Sequence, residues 1–229
     1  MKYYKFTLKM GIMNVLAVVL FFFGAALVIG CGYKINFKAF NSFTIMLFSM
    51  GSFVYLFLHE ICHGLGYTMF AKNKKNIKYG IALEKGVFYA MCQEEISKKG
   101  IIISLLMPLI VLTIIALPIG IIFHIDWLVI YALVNFSGAI GDMTMTVLML
   151  KCPSDVKYID YDNTIGAYLL SEHDLSKIKS FGMKFEESGD AKSQKVNKSI
   201  KFFTVSKGSL IYFIILLVIT VLAYFVSRL

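Results

Sequence analysis

Five long apolar runs, near 11–31, 43–70, 101–123, 126–150 and 209–226, limit what this chain can fold into. Each is close to or above the ~18–20 residues that a helix needs to cross a bilayer. Hydrocarbon offers backbone groups no water, so only helices and closed barrels span it. Barrel strands alternate apolar and polar residues, and these runs are unbroken. The sequence therefore predicts an all-α polytopic membrane protein with about five transmembrane helices. Composition agrees: 58% of the 229 residues are hydrophobic and 16% charged, against about 45–50% and 25% in soluble domains.

Charge placement predicts orientation. With the N-terminus inside, segments 1–10, 71–100 and 151–208 are cytoplasmic and hold 20 of the 23 Lys and Arg. This is the positive-inside bias, and it sets an N-in, C-out topology. It also accounts for the net charge of +9 without invoking nucleic acid. The first run ends Val28-Ile29-Gly30-Cys31, which resembles a lipoprotein cleavage box. A signal-peptide core is ~7–15 residues, however, and this run is longer. The four cysteines form no CxxC pair, so neither a zinc ribbon nor a disulfide framework is expected.

One membrane domain, 1–229, is expected, with two cytoplasmic insertions. In 71–100, Tyr79–Leu83 and Val87–Cys92 flank Glu84-Lys85-Gly86; this reads as a β-hairpin, or else as a short interfacial helix or an irregular loop. The segment 151–208 opens with Pro153 and holds a small ordered stretch over Tyr158–Leu170. It becomes a polar linker over Glu186–Lys201 before the last helix. Its apolar content is too low for an independent catalytic domain.

The second run contains His59-Glu60-Ile61-Cys62-His63. Residues four apart share a helix face, so both imidazoles can reach one metal ion. Two imidazoles suit Zn²⁺, and a catalytic site takes three protein ligands and a water. Glu60, beside the first ligand, has the position of a general base. Two of only four histidines fall on this motif, inside an apolar run. An ionisable group at mid-membrane costs ~2.5–3.5 kcal/mol on insertion scales, so it is seldom found there without a task.

The third ligand should lie at the same depth. His59 and Asp142 both sit 16 residues into their runs, and both runs descend from the outer face. At ~1.5 Å rise per residue, each lies ~24 Å down, in the inner half of the bilayer. His124 falls at the outer end of its run, and His173 lies in the soluble insertion. Asp142 is therefore the expected ligand. Asn135, Gly138 and Asp142 share a helix face, where Asn135 can hold a substrate carbonyl or bond a neighbouring helix. Cys62 points away from the ligand face and reads as a packing residue.

These residues resemble a family. HExxH in one membrane helix and an Asp in a later one is the pattern of the site-2 protease class of intramembrane zinc metalloproteases. A finer resemblance is to the zincin peptidase family of small bacterial membrane proteins. It rests on Leu58–Gly64, Ser137–Asp142 and Pro153-Ser154-Asp155. The resemblance implies zinc at His59, His63 and Asp142, Glu60 as base, and peptide-bond hydrolysis within or beside the membrane. It implies a membrane protein or peptide as substrate, and a bacterial plasma membrane as the setting.

An exposed strand at 79–92 would capture an unwound substrate by β-addition, with Val87 and Tyr89 in contact with it. Other readings are a non-catalytic metal-binding scaffold, such as an accessory subunit of a peptide exporter, and a metal carrier. The carrier is disfavoured, because only the second and fourth runs are polar at depth. Many-histidine diiron enzymes are excluded by the four histidines.

Overall fold

The computed structural model describes residues 2–36, 41–82, 87–160 and 166–190. Among these are five helices: α1 (Met10–Gly30), α2 (Ser42–Thr68), α3 (Lys98–Ile122), α4 (Asp126–Gly138) and α5 (Ile140–Lys151). The first three are each long and apolar enough to cross a membrane. The fourth apolar run is a broken helix: α4 and α5 meet at Ala139 with a bend of 44°, and they make a fourth span if taken together. Gly138 and Gly141 flank the bend, where two poor helix formers lower the cost of the break. The fifth expected run, 209–226, lies outside the described residues.

The expectation of an all-α protein is not met. Seven strands are present: β1 (Lys2–Leu8), β2 (Ile77–Ala82), β3 (Val87–Cys92), β4 (Ile96–Ser97), β5 (Lys157–Ile159), β6 (Gly166–Ser171) and β7 (Met183–Asp190). Five form an antiparallel sheet in the order β4-β5-β6-β1-β7, and β2 pairs with β3 as a separate hairpin. The sheet escaped sequence reading because its pieces come from three distant segments, none able to bury a face alone. The basic flank 2–8 looked like topology signal only. In fact it is the strand between β6 and β7, with Tyr4 and Phe6 fully buried. Lys5, of opposite facing, pairs with Glu186 at 3.8 Å. That alternation is a strand's period of two. Part of the expected linker is likewise β7; the rest, beyond Asp190, is not described.

One core joins sheet to helices. Tyr4, Phe6 and Leu169 of the sheet pack with Tyr67 of α2, Ile101 of α3 and Leu148 of α5. The sheet therefore sits where α1 and α3 begin and α2 and α5 end. The described parts of the segments assigned by charge to the inner side gather at this end. The hairpin packs against α2 at Gly64, where an added Cβ would stand 1.8 Å from the Tyr79 hydroxyl.

Candidate active site

His59, Glu60 and His63 lie on α2, one turn or less apart, and their ligand atoms fall within 4.8 Å of one another. Asp142 enters from the first turn of α5, where the positive end of the helix dipole favours a carboxylate. The break at Ala139 creates that helix start in mid-span. His59 Nε2 and His63 Nε2 are 3.1 Å apart. Asp142 Oδ2 lies 3.2 Å from the first and 3.4 Å from the second. Ligands bound tetrahedrally to zinc at ~2.0–2.1 Å stand about 3.3–3.4 Å apart, so the triangle has the size of a zinc face.

The hydrogen bonds behind the triangle define its chemistry. His63 Nδ1 meets the Ser104 carbonyl at 2.8 Å. A carbonyl only accepts, so Nδ1 carries a proton, and the neutral ring then presents a lone pair at Nε2. His59 Nδ1 meets Asn135 Oδ1 at 2.8 Å. That amide is oriented by its Nδ2, which donates to Pro108 O at 3.1 Å and to Thr113 Oγ1 at 2.9 Å. His59 Nε2 is therefore also a lone pair. With both rings neutral, two lone pairs and a carboxylate oxygen converge, a set that holds a cation between them, whether a proton or a metal ion. The donor set fits zinc, a borderline-soft ion that takes nitrogen and oxygen at such a centre.

Glu60 does not join the triangle. Its Oε2 accepts the Ala90 amide of β3 at 2.6 Å. This bond fixes the carboxylate beside the ligands and leaves it a second oxygen to work with. A cavity of about 400 Å³ opens between α1, α2, α5 and β3, and His59, Glu60, His63 and Asp142 all line it. Four methionines also line it, Met10, Met13, Met91 and Met145. Such flexible, polarisable walls adapt to varied apolar groups.

The other expected residues fall as follows. Asn135 is buried, with its oxygen and amide nitrogen both engaged as above. Tyr89 lines the cavity from β3 and packs over Gly80. Val87 opens β3, and its side chain lies outside the described residues. Cys62 is buried and reduced. His124 stacks on Tyr33 with ring centroids 5.9 Å apart. His173 pairs with Asp155 at 3.1 Å. Neither is brought to the triangle.

Sequence reasoning passed over three participants. Ser104 reaches His63 because Gly66 admits α3: a Cβ there would lie 2.4 Å from Ser104 Cα. The Gly64-Leu65-Gly66 spacing was its signal. Asp160, just after β5, lines the cavity. It accepts from Tyr158 at 2.7 Å, Tyr67 at 3.1 Å and the Cys92 amide at 3.3 Å. Burial pushes its carboxyl up from the ordinary range, against those three hydrogen bonds. Nothing local in the sequence marks it. Pro108, fully buried in α3, supplies a carbonyl to Asn135.

Residues 52–157 match the model of the family described as "Putative zincin peptidase". Over that stretch the chain is similar to this family, whose name and the HExxH cluster agree on a zinc-dependent peptidase. No curated protein and no solved structure matches the chain.

Proposed function

We propose that this protein is an intramembrane zinc metalloprotease that hydrolyses a peptide bond of a membrane-associated protein or peptide, in or near the inner half of a bacterial plasma membrane. The observation that carries the reading is the convergence of His59 Nε2, His63 Nε2 and Asp142 Oδ2 beside Glu60, on helices apolar enough for a bilayer. Zinc held by these three supplies Lewis acidity toward the scissile carbonyl and makes a nearby water easier to deprotonate. Glu60 takes the proton of the attacking water and returns it to the leaving amine. Asn135 and the Ser104 carbonyl hold the imidazoles in the tautomer that binds metal.

Substrate capture falls to the hairpin. Among the described residues β3 pairs with β2 alone. The Ala90 and Cys92 amides point away from β2, to Glu60 and Asp160. Strand alternation then turns Phe88 the same way, and Phe88 also lines the cavity. An unwound substrate segment adds along this edge, with backbone bonds for affinity and the methionine walls for side chains. Transmembrane segments are apolar and varied, which suits such walls.

Zinc content of detergent-purified protein tests the centre. About one zinc per chain is expected, retained in Glu60→Gln and lost in His59→Ala. Glu60→Gln should also abolish cleavage of apolar membrane peptides. Metal-free wild type from a chelator-free preparation, or a Glu60→Gln variant that still cuts, would overturn the reading.

A further inference from the structure

The histidines are held by a flaw in a neighbouring helix. In an α-helix the carbonyl of Ser104 accepts the amide of residue 108. Residue 108 is proline, which has no amide hydrogen to give. The Ser104 carbonyl is thereby left over, and it is the group that meets His63 Nδ1 at 2.8 Å. Gly66 lets α3 come close enough for that contact.

The helix is also irregular just beyond this proline. Over Ile110–Ile115 the backbone widens into a π-helical turn, and such single-turn insertions cluster at functional sites. Here the Pro108 carbonyl takes the Asn135 amide at 3.1 Å. The Leu112 carbonyl accepts the Tyr55 hydroxyl at 2.6 Å, which pins this turn to α2. Thr113 Oγ1 accepts from Asn135 and donates to the Ala132 carbonyl of α4 at 3.2 Å. Asn135 in turn holds His59. Both imidazoles thus trace back to position 108, His63 through the missing amide and His59 through the backbone carbonyl.

We infer that Pro108 is a positioning residue for the metal centre: its missing amide frees the Ser104 carbonyl to orient His63, and its own carbonyl orients Asn135 and so His59. The inference rests on the metal-site reading above, yet it concerns the zinc-free imidazoles as much as the loaded centre. An ordinary helical residue at 108 would return the Ser104 carbonyl to its own helix. His63 Nδ1 would then have to share that acceptor with a helical amide.

The test is ¹⁵N NMR of the histidine rings in zinc-free, full-length protein in micelles, with Pro108→Ala beside wild type. Wild type should show His63 protonated at Nδ1. Pro108→Ala should lose that single tautomer, with little change in melting, since the helix gains the hydrogen bond that the ring gives up. Zinc affinity, read by chelator competition, should fall ~10–100-fold, the usual effect of removing an outer-shell partner.

Two controls separate the donor from the ring. Ser104→Ala keeps the backbone carbonyl and should behave as wild type. An α-hydroxy acid at 108, which lacks both the ring and the amide hydrogen, should also keep the wild-type tautomer. Retention of the Nδ1 tautomer in Pro108→Ala would overturn the inference. So would its loss in the hydroxy-acid variant, because the ring's shape would then be the cause. A wild type without zinc or cleavage would refute the peptidase reading, while the tautomer would still decide this one.

Discussion

The metal triangle and the edge of β3 face the same cavity, yet they are built differently. The triangle's ligands come from two helices, and each imidazole is backed by a buried acceptor on α3 or α4. The Asn135 side chain is tied in turn to the Pro108 carbonyl and the Thr113 hydroxyl. The β3 edge is held through carboxylates instead, of which Asp160 is braced by Tyr158 and Tyr67. Its outward amides are met by single carboxylates, Glu60 at Ala90 and Asp160 at Cys92. The difference fits the two tasks. A metal centre must hold its geometry before the metal arrives. A strand edge that accepts a substrate must give up or share its bonds when one adds.

The comparison breaks first at Asp142. Asp142→Ala should remove all zinc that survives desalting, because two imidazoles alone make an incomplete site. The hairpin should stay folded, since Asp142 makes no contact with β2 or β3 that holds it. Amide exchange over 77–92 equal to wild type would show the two regions to be independent. Asn135→Ala comes next and should weaken zinc ~10–100-fold without abolishing it. It also leaves the Pro108 carbonyl and Thr113 hydroxyl short of a donor, at about 1–3 kcal/mol each for a buried group. If zinc affinity in this variant equals that of wild type, the backing of the triangle has no energetic content.

The same contrast explains what could be read in advance. The meeting of these three side chains was legible because His59 and His63 are a local spacing, and Asp142 is a matter of depth in a slab of known thickness. Neither needs tertiary knowledge. The break at Ala139 was not legible, though Gly138 and Gly141 stood in the sequence, because glycines in membrane helices more often serve close packing. Asp160 and β1 were invisible for a different reason. Their meaning depends on partners at Cys92 and Tyr67, or at Leu169 and Phe185, that no window of sequence contains. The hairpin was legible as a pattern. Its task was not, because which amides face outward is fixed only by Glu60 and Asp160.

Asp160→Asn should have a smaller effect than either change to the triangle. The amide offers one acceptor where the carboxylate offered two, and three donors compete for it. A loss of about 1–3 kcal/mol in stability is expected from the unsatisfied buried group, with zinc unchanged and faster exchange at Cys92. The pH dependence has a definite sign. Burial raises the folded pKa of Asp160 above its unfolded value. Its contribution is therefore fully present below the ordinary Asp range and is lost as pH rises through the folded value. Asp160→Asn should remove this slope, and a melting difference between the two proteins that does not vary with pH would contradict it.

The finest test uses proline on β3 itself. Tyr89 pairs with Gly80 and its amide faces β2, whereas Phe88 faces outward with Ala90 and Cys92. Proline at 89 deletes a bond within the hairpin, so any slowing of cleavage there mixes capture with folding. Proline at 88 removes an amide that only an added strand would use, and an edge strand tolerates proline on its free side. Phe88→Pro should thus leave the β2–β3 pairing and the zinc intact. It should slow cleavage of a membrane peptide about fivefold, the worth of one backbone hydrogen bond at ~1 kcal/mol. Phe88→Ala, which keeps the amide but loses the ring, separates side-chain contact from backbone pairing. Full activity in Phe88→Pro, with loss in Phe88→Ala, would mean that the cavity reads side chains and that β3 serves only to anchor Glu60.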